Sequence, residues 1–168
     1  IEAVEYTRKM DDGSNPSQWK EADLLLLGVS RTGKTPLSIF LGQRGYKVAN
    51  LPLVPGVAPP KELYEIDQDK VVGLLLDPQV LLQIRTNRLE NLFSNSSSGI
   101  GADSAQSYSE IRNVRAEIDS AKELYDANPR WPVLDVTFRS VEETAARILK
   151  ILYSRRGNPL TYIEGVDC

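Results

Sequence analysis

The sequence predicts an α/β domain in three layers, with helices on both sides of a mainly parallel central sheet. Four short aliphatic runs lie along the chain, and segments with apolar residues at helical spacing alternate with them. The connections between successive runs are long enough for the right-handed crossovers that parallel strands require. With 168 residues the chain can form one hydrophobic core and is too short for two, so we expect a single domain.

The first half of the chain predicts two strands and the helix between them. An opening segment of mixed apolar and charged residues ends at the turn formers DDGSNP and predicts one element followed by a loop. Residues 24–27 form a continuous aliphatic run, which is typical of a strand buried on both faces of a parallel sheet. Apolar residues at helical spacing then predict a helix over 34–44, with Gly45 as its C-cap. Residues 46–53 supply the second strand.

The middle of the chain predicts a third strand between two helices. Residues 61–65 predict a short helix, and the aliphatic residues 71–76 predict another buried strand. A helix over 78–93 follows, with Pro78 in its first turn, where no N–H is needed. Small polar residues and glycines dominate 94–107 and predict a mobile loop without a core of its own.

The last third of the chain predicts two capped helices around a fourth strand. Ser107 opens a capping box of the form S-x-x-E and so begins a helix that extends to about residue 127. Residues 133–137 form the fourth strand. A second capping box at Ser140 begins the final helix, whose apolar face comprises Val141, Ala145, Ile148, Leu149 and Leu152.

The composition excludes several classes of protein. The longest apolar run is far too short to cross a bilayer, and the net charge of −3 argues against a nucleic-acid binder held by broad electrostatics. The chain contains no histidine, which excludes Ser-His-Asp and Cys-His nucleophile systems and most catalytic zinc sites. The single cysteine, Cys168, cannot form a disulfide within the chain, so the fold does not depend on an oxidising compartment.

A glycine-rich motif directly after the first aliphatic run carries most of the functional information. It matches the pattern G-x-x-x-x-G-K-[ST] without a gap. In this pattern successive backbone N–H groups point at an anion, and the positive end of the following helix faces the same spot. We therefore predict a site for a di- or triphosphate formed by Gly28, Val29, Ser30, Arg31, Thr32, Gly33, Lys34 and Thr35.

Two side chains of the motif have predicted roles of their own. Lys34 is expected to supply a point charge to the terminal phosphate, and the hydroxyl of Thr35 is expected to ligate Mg²⁺. A buried strand before the motif and a helix after it form the context that such sites require. The alternative is a plain turn between strand and helix with an incidental lysine.

Several carboxylates are further candidates. Asp11 and Asp12 form the best carboxylate pair, in which one side chain accepts a proton or holds a metal, and the alternative is a solvated Asp-Gly turn. Asp77 and Asp135 end or interrupt aliphatic runs at the sheet edge where parallel sheets bind ligands. For Asp77 the alternative is an ordinary N-cap, because Pro78 follows it.

Four arginines flank the predicted loop over 94–107. Arg85 and Arg88 precede the loop, while Arg112 and Arg115 follow it, and each pair is spaced three residues apart. Such arginines suit a lid that closes on a transferring phosphate. The alternative is an exposed helix surface with ion pairs.

Beyond the motif, the residues follow the pattern of a known family. The stretches IEAVEYTRKMDDG, GVSRTGKTPLS, GYKVANLPLV and WPVLDVTFRSVEETAARI occur in the order found in the pyruvate, phosphate dikinase regulatory protein family, which the chain resembles from residue 1 to about residue 152. The resemblance implies a bifunctional enzyme. Such an enzyme phosphorylates a threonine of the dikinase with ADP and leaves AMP. It also removes that phosphate with inorganic phosphate and releases pyrophosphate.

The resemblance also implies roles for particular residues. The glycine-rich motif corresponds to the nucleotide-binding loop, and Ser38 on the following helix is a further contact. Asp12 is expected to act as the base or to orient the threonine, with Asp11 beside it. Family members have an N-terminal half of comparable size. We therefore expect residues 1–155 to be the catalytic domain at the C-terminal end of a longer protein, with 156–168 as a tail.

The resemblance implies ADP or AMP, inorganic phosphate, pyrophosphate and the dikinase as partners. Mg²⁺ is expected from the Thr35 hydroxyl of the motif, and neither nucleic acid nor a membrane is expected, because of the net charge and the short apolar runs. A homodimer is left open. The expected location is the chloroplast stroma, with the cytoplasm as the alternative. Two other functions fit the same motif: a small-molecule kinase of the nucleoside monophosphate type, and a nucleotide-sensing module without catalysis.

Overall fold

Four parallel strands form the centre of the protein. The computed structural model describes residues 2–93 and 104–156. The strands are β1 Leu24–Gly28, β2 Val48–Pro52, β3 Val71–Leu75 and β4 Val133–Asp135. Their order in the sheet is β2-β1-β3-β4, and every neighbouring pair is parallel. The predicted parallel sheet is therefore confirmed.

Helices alternate with these strands in the described part of the chain. They are α1 Glu2–Lys9, α2 Lys34–Gln43, α3 Glu62–Glu65, α4 Pro78–Phe93, α5 Ser104–Ala127 and α6 Val141–Arg156. Short 3₁₀ helices lie at Asp11–Gly13, Pro16–Glu21 and Gln68–Lys70. Among the described residues, no helix combines the length and the apolar character that a membrane span requires.

The leucine run of β1 explains why the sheet is buried on both faces. Successive side chains of a strand point to opposite faces. Leu25 and Leu27 accordingly belong to the core that α5 covers, whereas Leu24 and Leu26 belong to the core that α2 and α6 cover. All four leucines are at most 1% exposed. Helices on both faces of a parallel sheet confirm the predicted three-layer α/β architecture.

Three of the strands are shorter than the sequence predicts. The fourth strand illustrates the reason, because it ends at Asp135 and not at residue 137. The Asp135 carboxylate accepts the backbone N–H of Thr137 at 2.9 Å, so the chain turns at that point. The final helix begins as predicted, and Ser140 Oγ accepts the backbone N–H of Glu143 at 3.1 Å in the capping box.

The start of α5 differs from the prediction. The helix begins at Ser104, so Ser107 lies within its first turn and not at its N-cap. The loop prediction is therefore wrong for residues 104–107. The S-x-x-E pattern also fits the interior of a helix, since positions three apart share one face, and a local pattern cannot tell the two cases apart. Residues 94–103 of the predicted loop and 157–168 of the predicted tail lie outside the described residues.

The strand order locates the place where a ligand would bind. β2 lies on one side of β1, and β3 lies on the other side. The chain thus leaves β1 in one direction and β3 in the opposite direction, which opens a crevice at the carboxyl ends of these two strands. Open parallel sheets bind ligands at such a switch point.

Candidate functional site

The glycine-rich motif, residues 28–35, forms a curled turn between β1 and α2 that we call the glycine loop. Gly28 ends β1 at a point where a Cβ atom would lie 2.6 Å from Thr32 Oγ1, so a larger residue would push the two arms of the loop apart. Gly33 precedes α2 with a left-handed φ of +85°. Thr32 Oγ1 donates to the carbonyl of Val29 at 2.9 Å. The loop is therefore closed on itself at the N-terminus of α2.

Lys34 places its ammonium group inside the glycine loop. Its Nζ atom donates to the carbonyl oxygen of Val29 at 2.8 Å and to Thr32 Oγ1 at 3.4 Å. The residue is only 5% exposed. A buried cation at a helix N-terminus attracts an anion twice, through its own charge and through the helix dipole.

Asp11 contacts the glycine loop from the first 3₁₀ helix, Asp11–Gly13. Thr35 Oγ1 donates to Asp11 Oδ1 at 2.9 Å, and Asn50 Nδ2 donates to the same oxygen at 2.6 Å. Asn50 also donates to Ser38 Oγ at 3.3 Å. These four residues form what we call the polar cluster. Two donors on one carboxylate oxygen hold the Asp11 side chain in a single orientation.

The polar cluster contains predicted residues and one that the sequence analysis missed. Asp11 and Thr35 lie together, while Ser38 is fully buried beside Asn50 on the inner face of α2. Asn50 was missed, although an amide inside an apolar strand is a signal, because a buried polar group requires partners. The side chain of Asp12 lies outside the described residues, so its role stays a prediction.

Two cavities meet at the glycine loop. The smaller has a volume of about 440 Å³, and five residues of the loop line it together with Pro36, Pro52 and Ile84. The larger has a volume of about 580 Å³, and its walls are mostly apolar side chains from α2, α4, α6 and the segments after β3 and β4. Arg31, Gly33 and Ile84 line both cavities. One elongated ligand with an anionic end and an apolar end would fit this arrangement.

Asp77 and Asp135 serve turns at the carboxyl edge of the sheet. Asp77 Oδ1 accepts the backbone N–H groups of Gln79 at 2.9 Å and Val80 at 3.2 Å, so this residue is the N-cap of α4, as the alternative interpretation held. The hydroxyl and the backbone N–H of Thr137 hold the pKa of Asp135 below its ordinary value. Both carboxylates therefore stabilise the local backbone.

One of the four candidate lid arginines contacts the glycine loop. Arg85 on α4 pairs with both carboxylate oxygens of Glu117 on α5, at 3.1 and 2.8 Å. The same guanidinium donates to the carbonyl oxygen of Ser30 at 3.0 Å. Arg112 and Arg115 are exposed on α5. The side chain of Arg88 lies outside the described residues.

Comparison with known proteins places these features in a family context. The family model described as Kinase/pyrophosphorylase matches residues 1–149. The putative pyruvate, phosphate dikinase regulatory protein of Geobacter metallireducens is 51% identical over 154 residues, which cover 92% of this chain and 54% of the relative. The resemblance predicted from the motifs is thus confirmed.

Plant proteins show a similar degree of likeness. The chloroplastic pyruvate, phosphate dikinase regulatory protein 1 of Arabidopsis thaliana is 48% identical over 158 residues, which cover 94% of this chain and 38% of the relative. The chloroplastic regulatory protein of Zea mays is 51% identical over 157 residues, which cover 93% of this chain and 35% of the relative. The chain therefore spans about half the length of the bacterial relative and less of the plant relatives.

Proposed function

Because the chain belongs to the kinase/pyrophosphorylase family, we propose that it carries the nucleotide-binding and catalytic part of an enzyme that regulates pyruvate, phosphate dikinase. In one direction a threonine oxygen of the dikinase bonds to the β-phosphorus of ADP, the bond from that phosphorus to the bridging oxygen breaks, and AMP leaves. In the second reaction an oxygen of inorganic phosphate bonds to the phosphorus of the phosphothreonine and the bond from that phosphorus to the threonine oxygen breaks. The threonine oxygen takes up a proton, and pyrophosphate is released. The names of the relatives support the dikinase as the target.

The single observation that carries the proposal is the contact between the glycine loop and Asp11. Thr35 Oγ1 lies 2.9 Å from Asp11 Oδ1, although 24 residues separate the two in the sequence. This contact joins a carboxylate to the loop that is proposed to bind phosphate. A turn with an incidental lysine has no need of such a carboxylate.

A nucleoside diphosphate matches the two adjoining cavities. The phosphates would occupy the smaller cavity, beside Lys34 and the backbone N–H groups of the glycine loop. The base and ribose would occupy the larger cavity, where apolar walls favour an aromatic ring. Both reactions use a diphosphate unit, as ADP or as pyrophosphate, so one loop can serve both directions.

Magnesium fits the donors that the site offers. Thr35 and Asp11 supply hard oxygen ligands, and Mg²⁺ commonly binds through one or two protein oxygens together with substrate phosphates. In the described part of the chain, no three His, Cys, Asp or Glu side chains form a metal-binding group of their own. Thr35 and Asp11 would therefore hold the ion with the help of the nucleotide. When bound, Mg²⁺ neutralises charge on the phosphates.

Three side chains of the protein have proposed roles in the phosphoryl transfer. Lys34 binds the phosphoryl group that moves and stabilises the negative charge on it during transfer. Asp11 accepts the hydrogen bond of Thr35 and thereby orients that hydroxyl. Asp12 is the proposed base for the acceptor threonine. A carboxylate suits this role because the chain has no histidine.

The decisive experiment incubates the protein with phosphohistidine-bearing dikinase, ADP and Mg²⁺. Phosphothreonine on the dikinase and AMP in solution should form in equal amounts. Asp12→Asn should retain ADP binding and lose transfer, whereas Lys34→Ala should lose both. ADP binding without phosphothreonine in the wild-type protein would instead favour the nucleotide-sensing module. Transfer from ATP to a free nucleoside monophosphate would favour the small-molecule kinase.

Two further features belong to the proposal. A location in the chloroplast stroma is supported by the plant relatives, whose names include the word chloroplastic, whereas the name of the Geobacter relative does not. Fluorescence microscopy of the tagged complete protein tests this location. A homodimer stays a prediction, and light scattering on the purified protein tests it.

A further inference from the structure

Arg85, Glu117 and Ser30 form a bridge from two helices to the glycine loop, which we call the clamp. The guanidinium meets both carboxylate oxygens of Glu117 and donates to the carbonyl oxygen of Ser30 at 3.0 Å. The Arg85 and Glu117 side chains are only 24% and 27% exposed, so they are partly withdrawn from solvent. Paired hydrogen bonds of this kind fix the plane of the guanidinium as well as its position.

The residue after Ser30 has an unusual backbone conformation. Arg31 has a φ of +72°, in the left-handed region that residues other than glycine rarely adopt. Such a conformation persists where the surrounding structure holds it in place. The hydrogen bond from Arg85 to the Ser30 carbonyl acts on the peptide that joins these two residues. The clamp is therefore well placed to maintain the strained turn.

The orientation of one peptide then sets the orientation of an amide donor. In a trans peptide the C=O and N–H groups point in opposite directions. When Arg85 holds the Ser30 carbonyl toward α4, the N–H of Arg31 turns the other way. Arg31 lines both cavities at the glycine loop, so the direction of this N–H matters for any bound anion.

We propose that the clamp presets the Arg31 amide as a donor to the phosphate bound in the glycine loop, with Arg85 as a positioning residue. The inference rests on the proposed phosphate-binding function of the loop. Glu117 has a definite part in it, because the carboxylate neutralises the guanidinium and directs it to the Ser30 carbonyl. Arg85 thus acts on the loop backbone and does not itself bind the phosphate.

The test measures binding of inorganic pyrophosphate to the ¹⁵N-labelled chain, by calorimetry for affinity and by NMR for individual amides. Arg85→Met retains most of the aliphatic stem and removes every hydrogen bond of the clamp. It should weaken pyrophosphate binding about tenfold, since an anion site loses one preset donor. In this variant the Arg31 amide resonance should stop responding to pyrophosphate, while the amides of Gly33 and Lys34 still respond.

Glu117→Met distinguishes positioning from direct contact with phosphate. If the clamp acts through Ser30, releasing Arg85 from its carboxylate partner should also weaken pyrophosphate binding, and the double variant with Arg85→Met should bind about as well as Arg85→Met alone. If Arg85 contacts the phosphate directly, removal of the neutralising carboxylate should strengthen binding. Stronger binding by Glu117→Met would therefore overturn the inference.

Matched controls separate this inference from the proposed function and from general loss of structure. Arg8→Met removes an exposed arginine from α1 and should leave pyrophosphate binding unchanged. If Arg85→Met fails to fold, Arg85→Lys replaces it in the test, because lysine keeps one charged donor. Arg85→Lys should weaken pyrophosphate binding less than Arg85→Met and should still alter the response of the Arg31 amide to pyrophosphate. An unchanged Arg31 response in a folded Arg85 variant contradicts the clamp alone. Absence of pyrophosphate binding by the wild-type chain would overturn both the clamp and the proposed function.

Discussion

Replacement of Asn50 by aspartate should make the stability of the protein depend steeply on pH. Asn50 Nδ2 lies 2.6 Å from Asp11 Oδ1, and Asn50 is fully buried. The Asn50→Asp variant would set two carboxylates about 3 Å apart, where their repulsion at an effective dielectric constant of about 20 is about 5 kcal/mol. The pair can avoid this cost by binding one proton in the folded state.

The cost of that proton sets the expected magnitude. An unfolded aspartate has a pKa of about 3.9, so holding one proton on the folded pair costs about 1.4 kcal/mol for each pH unit above that value, or about 4 kcal/mol at pH 7. The folded state then binds one more proton than the unfolded state. The free energy of unfolding of the variant should therefore fall with rising pH between about pH 4 and pH 7, by about 1.4 kcal/mol per unit relative to wild type.

Urea unfolding at several pH values measures this slope. The matched control is Asn50→Ala, which loses the same hydrogen bonds and adds no charge. It should lower the free energy of unfolding by about 1–3 kcal/mol at every pH, because it removes the donor from which Asp11 Oδ1 and Ser38 Oγ accept hydrogen bonds. Parallel pH curves for the aspartate and alanine variants would refute the reasoning, since they would mean that residue 50 and Asp11 do not face each other.

Three further predictions test other parts of the molecule. Gly73→Ala should lower the free energy of unfolding by about 1–3 kcal/mol in urea titrations, because the new Cβ would lie 2.7 Å from the buried ring of Tyr125. Adding Tyr125→Leu to this variant should recover part of the lost stability. Val80 lines the larger cavity, so Val80→Asn should weaken ADP binding about fivefold and leave pyrophosphate binding unchanged, as measured by calorimetry. Equal losses of affinity for both ligands would contradict the proposal that the base occupies that cavity. Burial, followed by two neighbouring carboxylates, raises the pKa of Tyr6 to about 12. The neutral phenol therefore stabilises the fold fully below about pH 10, the ordinary pKa of tyrosine. This contribution is lost as the pH rises from 10 to 12. The melting temperature of Tyr6→Phe should therefore fall less than that of the wild type between pH 10 and pH 12, as thermal unfolding at several pH values would show.

Local patterns explain why much of the fold could be predicted from the sequence. The leucine run of β1 has no polar position, which requires burial on both faces and hence a parallel sheet with helices on each side. The glycine loop is contiguous, so its curled backbone follows from residues that are neighbours in the sequence. The start of α5 was predicted wrongly because a capping pattern at Ser107 also fits the interior of a helix.

The sequence by itself determined the alternation of strands and helices, the glycine loop and the family resemblance, because each depends on residues close together in the chain. Only the tertiary structure decided which distant side chains meet at the loop. Asn50 reaches Asp11 across 39 residues, since the register of β2 on β1 places it there, and Arg85 reaches Ser30 across 55 residues through the packing of α4. Contacts of this kind depend on sheet register and helix docking, which are properties of the whole packed core and leave no local pattern in the chain.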